Sequence, residues 1–285
     1  MNNVQDGSKL LAWVTGADGL IGSHIKLSAP FFAPTWKVRG LNRNDFDLTD
    51  FEEMQRQFEI DRPALVIHCA ALSDPEACEL KPAKTRLVNR DTTFFLSRLS
   101  EGIPMIFFSS DLVFDGRIGN YNEEDEPSPL SCYAQSKAEA EVLVLSNPMH
   151  TVVRTSLTSG QSPKRNRGIE EQLKLRWSKG EAVRLFEDEF RKPIAAKIIA
   201  QATWELVAAN QTGLFHLAGS ERMSRYEIGR LIADMFPELN PKIKPCSLSE
   251  HKGVPRPADT SLNCAKLSSL LSFPVPSLRE SFAAT

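Results

Sequence analysis

The chain has 285 residues, enough for one large domain or two intimately joined ones around a sizeable core. Hydrophobic residues at 41% and charged residues at 25% match a soluble globular protein and exclude disorder, a fibrous repeat or a small disulfide scaffold. With 34 Lys plus Arg against 36 Asp plus Glu, the formal net charge is -2, so no global positive field favours nucleic acid, and an anionic partner must meet a local basic cluster. Apolar runs such as Leu10–Val14 fall far short of the roughly 20 residues of a membrane helix. The first residues carry Asp6 and Lys9 and no apolar leader segment, so a cytoplasmic protein is expected. The cysteines, Cys69, Cys78, Cys132, Cys246 and Cys264, are odd in number and form no C-x-x-C pair, which predicts reduced thiols and no structural metal.

Short β-rich runs at Lys9–Thr15, Lys37–Leu41, Ala64–Ala70, Met105–Ser109 and Thr151–Thr155 read as successive strands. Between them lie helix signals. Thr49 or Asp50 is placed to cap Phe51–Phe58, and Pro82 opens a helix over Ala83–Ser100. Strand and helix in alternation predict an α/β fold with a doubly wound, Rossmann-type parallel sheet, its crossovers right-handed. Ser159–Gly168 lacks periodicity and reads as an exposed loop, a linker or a lid, with Lys164, Arg165 and Arg167 as a solvated basic run. Further on come a helix at Ala195–Ala209, a strand at Leu214–Leu217, and a helix capped by Ser224 with Glu227 three residues later. Short elements punctuated by Pro255, Pro257, Pro274 and Pro276 suggest a smaller α/β substrate-binding region. The expected division is 1–157 for the dinucleotide-binding domain, completed by parts of 182–210, and 158–285 mainly for substrate.

Directly after the first strand stands Thr15-Gly16-Ala17-Asp18-Gly19-Leu20-Ile21-Gly22. Gly16 and Gly19 allow a tight turn and close approach of a ligand, Gly22 lets the next helix pack on the sheet, and the helix start offers its N–H groups to a pyrophosphate. The second strand ends Leu41-Asn42-Arg43, with no carboxylate read at its tip for a ribose 2′-hydroxyl. Arg43 suits a 2′-phosphate, which favours NADP(H), with NAD(H) as the alternative. Asp47 and Leu48 are candidates to meet the adenine ring.

Tyr133-Ala-Gln-Ser-Lys137 places a phenol and an ammonium on one helix face, and Ser110 lies at the carboxyl end of the fourth strand, the edge where open α/β sheets bind ligands. Hydride delivered to a carbonyl carbon leaves charge on oxygen that a proton must meet. Tyr133 is the expected donor, Ser110 orients the oxygen, and Lys137 together with the oxidised nicotinamide brings the phenol toward neutral pH and also binds the nicotinamide ribose. None of His24, His68, His150, His216 and His251 is assigned as a base or metal ligand.

Together with Val66–Ala71, Val88-Asn89, Phe108–Gly116 and Arg256-Pro257, these motifs resemble the extended short-chain dehydrogenase/reductase family, and more narrowly its dTDP-4-dehydrorhamnose reductase-like subgroup. The resemblance implies an NAD(P)-dependent oxidoreductase that reduces a keto group on a nucleotide sugar or related polar carbonyl compound. It implies that Ser110, Tyr133 and Lys137 form the triad, that Ala70 and Ala71 line the cofactor cleft, and that Asn89 borders the cofactor and supports the catalytic helix. Asp111 beside Ser110, and Leu157 where the subgroup carries an aromatic residue, are expected at the sugar; Leu112 likewise replaces an aromatic residue. Arg256 is expected on the diphosphate, with Arg225 a second candidate that reads as an exposed helix start. Dimers are common in the family, so a homodimer is open. Two other readings remain open. One is a cofactor-binding regulatory subunit without turnover, in the manner of the reductase-like subunit of eukaryotic methionine adenosyltransferase. The other is an epimerase or dehydratase that recycles NAD.

Overall fold

A computed structural model describes residues 9–284; the amino-terminal residues on which the absence of a leader was read, Asp6 among them, lie outside the described residues. In chain order, β1 (Leu10–Thr15) is followed by α1 (Leu20–Phe32), β2 (Trp36–Leu41), α2 (Phe51–Asp61), β3 (Leu65–His68), α3 (Pro75–Leu80) and α4 (Pro82–Arg86). A π-helical turn (Leu87–Asp91) leads into α5 (Thr92–Leu99), β4 (Met105–Ser110), a 3-10 turn (Asp111–Val113), α6 (Cys132–Leu145) and β5 (Thr151–Thr155). Next come β6 (Thr158–Ser159), α7 (Ile169–Ser178), β7 (Ala182–Phe186), β8 (Phe190–Arg191), β9 (Ile194–Ala195), α8 (Ala196–Ala208) and β10 (Gly213–Leu217). The chain closes with β11 (Met223–Ser224), α9 (Arg225–Met235), β12 (Lys242–Cys246), α10 (Ala265–Ser268) and α11 (Leu278–Ala283).

Six parallel strands form the central sheet in the order β2-β1-β3-β4-β5-β10. The order reverses between β1 and β3, the kind of switch point at which open α/β sheets bind ligands along their carboxyl edge. Alternation along the strands divides the core. Ala12, Val14 and Ile67 face α1 and α8, where Ile25, Ile199 and Trp204 are buried. Trp13, Val66 and Phe107 face the other way, toward Met54 of α2, Leu96 of α5 and Ala140 of α6. The helix expected over Ala83–Ser100 is instead α4 and α5 joined through the π-helical turn. The wider turn rotates Asn89 into the interior, where it is fully buried.

A second lobe encloses its own core of Ile169, Leu173, Trp177, Val183, Leu185, Ile228, Ile232 and Leu278, built by α7, β7, α9 and α11. β7 pairs with β12 there, whereas α8 packs on α1 and β10 adds to β5 in the main sheet. The sequence after β5 therefore serves both lobes. The Ser224–Glu227 capping box forms with both arms closed, at 2.7 and 3.1 Å. The stretch Ser159–Gly168 is not uniformly exposed. Lys164, Arg165 and Arg167 face solvent, but Ser162 is buried because Glu171 of α7 accepts from its amide and hydroxyl and from the amides of Arg167 and Gly168.

Candidate active site

Gly16 turns with φ of +65°, and a Cβ there would lie 2.8 Å from the Ala70 nitrogen, so the glycine turn seats directly on the end of β3. Gly19 begins α1, whose first turn has no side-chain cap and no acidic residue. Its amides, from Leu20 onward beside Gly22, are the donors a pyrophosphate requires. Asp18 is exposed at this rim, and Ile21, Ala70 and Ala71 are half-buried along the crevice. At the tip of β2, Arg43 is exposed and Asn42 is half-buried. The sequence reading found no carboxylate at this tip, but Asp45 folds back to accept from the Asn42 amide at 2.8 Å. Asp47 accepts from the Thr49 amide and hydroxyl, bonds that hold its carboxyl below the usual range, and Leu48 packs on the core beside α2.

Ser110 closes β4, and Tyr133 and Lys137 stand one turn apart on α6, all three buried. The three residues expected from sequence are thus brought together at the carboxyl end of β4, one strand beyond the switch point. Ser131 caps α6 through the Ala134 amide at 3.3 Å, and Glu79 accepts from the Cys132 amide at 2.6 Å. The Lys137 ammonium sits 4.0 Å from the centre of the Phe107 ring and makes no hydrogen bond among the described residues; burial pushes it down to about 7. Glu141, one turn further on, opposes that shift while it pairs with Arg154 of β5 at 2.7 Å. Burial holds the Tyr133 phenol up at about 12, with Ser110 and Arg191 acting to lower it. In the chain by itself desolvation outweighs the neighbouring charges, whereas the shift toward neutral pH expected from sequence also calls on the oxidised nicotinamide. The phenol is held in the protonated, donating form. An uncapped helix start after β1 and a buried ammonium near the end of β4, without a hydrogen-bond partner among the described residues, fit a nicotinamide dinucleotide laid along this edge of the sheet.

A chain of neutral hydrogen bonds ties the glycine turn to the tyrosine. The Thr15 hydroxyl lies 2.7 Å from His68 Nδ1, His68 Nε2 lies 3.0 Å from Thr93 Oγ1, and Thr93 donates to the Asn89 carbonyl at 2.7 Å. Burial pushes His68 down to about 3, so the ring is neutral and passes one proton direction along the chain. The Asn89 side chain accepts from the Leu72 amide at 2.8 Å and donates to Ser136 at 3.0 Å, and Ser136 donates to the Tyr133 carbonyl at 2.7 Å. Asn89 is therefore not a cofactor contact, because its amide is engaged by protein groups and has no exposed surface. It positions α6. Sequence reasoning passed over His68, whose only signal is a lone imidazole in an apolar strand.

On the opposite side of Tyr133, charges converge. Met223 pairs with Arg191 and Ser224 with Phe190 in an antiparallel ribbon, which sets Arg225 immediately beside it with its amide on the Glu189 carbonyl at 2.9 Å. Thr260 donates to the Phe190 carbonyl, drawing in the segment that carries Arg256. Asp111 is fully buried and holds Arg191 in a bidentate pair, and it also accepts from Ser156 at 2.7 Å and Thr260 at 3.3 Å. Its expected contact with the sugar is thus corrected: both oxygens are occupied by the protein. Arg256 is corrected in the same way. Its fork grips buried Glu189 at 2.6 and 2.9 Å. Arg225, expected to be exposed, is half-buried, and desolvation with repulsion from Arg191 and Arg256 pushes it down to about 10. Leu157 is half-buried against the second-lobe core.

The RmlD substrate binding domain family matches residues 10–285. Among curated proteins, the chain is 30% identical over 274 residues to methionine adenosyltransferase 2 subunit beta of Rattus norvegicus, covering 90% of this chain and 81% of that protein. It is 29% identical over 283 residues to a dTDP-4-dehydrorhamnose reductase of Sinorhizobium fredii, covering 94% of each. Among solved structures, a dTDP-4-dehydrorhamnose reductase of Bacillus anthracis in complex with NADP superposes with a TM-score of 0.86 at 22% identity, over 97% of this chain and 100% of that one. A hypothetical dTDP-4-dehydrorhamnose reductase of Sulfolobus tokodaii superposes with a TM-score of 0.83 at 29% identity, over 94% of this chain and 97% of that one. With a family match across nearly its whole length and a doubly wound sheet to go with it, the chain belongs to the RmlD substrate binding domain family.

Proposed function

We propose that this protein is an NAD(P)H-dependent oxidoreductase of the short-chain dehydrogenase/reductase type that reduces a keto group on a nucleotide sugar. The observation that carries the reading is the gathering of Ser110, Tyr133 and Lys137 at the carboxyl end of β4, on the same sheet edge as the uncapped start of α1. Gly16, Gly19, Leu20, Ile21 and Gly22 hold the pyrophosphate, Ala70 and Ala71 line the cleft, and Arg43 takes the 2′-phosphate of NADP(H). The bound dinucleotide supplies the hydride that goes to the carbonyl carbon. Ser110 holds the carbonyl oxygen, and the protonated phenol of Tyr133 gives that oxygen its proton, so C=O becomes CH–OH. Lys137 holds the nicotinamide ribose and stabilises the phenolate left behind. Residues 158–285 supply mainly the substrate side.

A second reading is favoured by one observation: relatives at 30% identity are named as a subunit of methionine adenosyltransferase. On that reading the same crevice binds dinucleotide without turnover. Fluorescence titration with NADPH and NADH, followed by oxidation of the bound cofactor with a panel of keto-sugar nucleotides, separates the two. Wild type is expected to turn over, and Tyr133→Phe to lose about 10²–10⁴-fold in kcat at unchanged cofactor affinity. Cofactor binding without oxidation by any carbonyl compound supports the subunit reading, and failure to bind either cofactor overturns both.

A further inference from the structure

Beside Tyr133 the charged cluster holds three guanidinium groups, Arg191, Arg225 and Arg256, against two carboxylates, Asp111 and Glu189. Both carboxylates are saturated. Asp111 is closed by Arg191, Ser156 and Thr260, and Glu189 by the fork of Arg256, with Arg191 a further 3.9 Å away. Arg225 is left over. Its guanidinium makes no hydrogen bond or ion-pair contact among the described residues, although it feels Glu189 and Asp111 through space. A half-buried guanidinium without a partner is costly unless an anion meets it.

We propose that Arg225, and not Arg256, is the specificity-determining arginine that takes the diphosphate of the substrate. The inference rests on the nucleotide-sugar reading above. A guanidinium presents two parallel donors that match phosphoryl oxygens, and the ribbon of β8 and β11 sets Arg225 directly after Ser224, within electrostatic reach of Glu189, Arg256, Arg191 and Asp111, the last two of which also act on Tyr133. Arg256 and Arg191 keep their carboxylates and serve as the frame. Bound diphosphate therefore meets a net positive site without displacing an internal ion pair.

The test is calorimetric titration of dTDP, thymidine and glucuronate into the full chain, with and without saturating NADPH, for wild type, Arg225→Met and Arg225→Lys. Wild type is expected to bind dTDP, Arg225→Met to bind it at least tenfold more weakly and Arg225→Lys several-fold more weakly, with thymidine and NADPH affinities unchanged. Equal dTDP affinity in wild type and Arg225→Met overturns the proposal, as does no dTDP binding to wild type, or an Arg225 dependence seen with glucuronate alone. If Arg225→Met does not fold, Arg225→Lys decides, and dTDP affinity equal to wild type overturns the proposal. Loss of NADPH binding in wild type would undo the reductase reading while leaving the dTDP comparison readable.

Discussion

Two buried polar regions flank Tyr133 and work by different physics. On the side of the glycine turn, Thr15, His68, Thr93, Asn89 and Ser136 form an uncharged relay in which each donor finds an acceptor. On the other side, Asp111 and Glu189 stand against three arginines, of which Arg225 has no hydrogen-bond or ion-pair partner among the described residues. Neutral hydrogen bonds each contribute modestly and fix position, while desolvated charges set the local potential and are costly when a partner is removed. The comparison assigns geometry to one side of the site and charge to the other.

The largest expected effect comes from cutting the charged side. Asp111→Ala takes the bidentate partner from buried Arg191 and leaves it, among the described residues, only Glu189 at 3.9 Å, and is expected to lower stability by about 3–5 kcal/mol in chemical denaturation. A loss no larger than that of an exposed substitution would erase the distinction between the two regions.

A smaller effect is expected on the neutral side. His68→Leu removes one hydrogen-bond partner from each of the Thr15 and Thr93 hydroxyls and should cost about 1–3 kcal/mol. Because His68 reaches Tyr133 only through α6, kcat should fall while KM for the carbonyl compound stays near wild type. The pH dependence sharpens the point. The folded His68 stays neutral down to about 3, whereas the unfolded chain takes up this proton near its ordinary value of 6.5. Its contribution is whole above pH 6.5 and is lost as pH falls from there toward 3, at about 1.4 kcal/mol per pH unit. His216, pushed down to about 4, adds with the same sign. Denaturation midpoints measured across this range should fall less steeply for His68→Leu than for wild type; equal slopes would show that His68 is charged in the fold.

The smallest effect belongs outside both regions. Arg43→Ala, at an exposed strand tip, should weaken NADPH about tenfold, or about 1.4 kcal/mol, and leave NADH unchanged. An equal loss for both cofactors would shift recognition of the ribose from Arg43 to Asp45, which folds against the same tip.

By itself the sequence determined the parallel sheet, the glycine turn at Gly16–Gly22, the capped start of α9, and the pairing of Tyr133 with Lys137 on one helix face. Each of these depends on residues two to six apart, where the periods of strand and helix, the demands of a tight turn and the reach of a cap act locally. Tertiary structure alone decided what surrounds them. Arg191 meets Asp111 across 80 positions of sequence, and Thr15 meets His68 across 53, and no spacing rule marks such pairs. Asp111 looked like a sugar contact because it follows Ser110. Arg256 looked like a phosphate contact because its charge was visible and its partner Glu189 was not. The ribbon of β8 and β11 leaves the Arg225 guanidinium of this cluster without an ion pair among the described residues, because which charges remain unneutralised depends on how distant segments fold against one another.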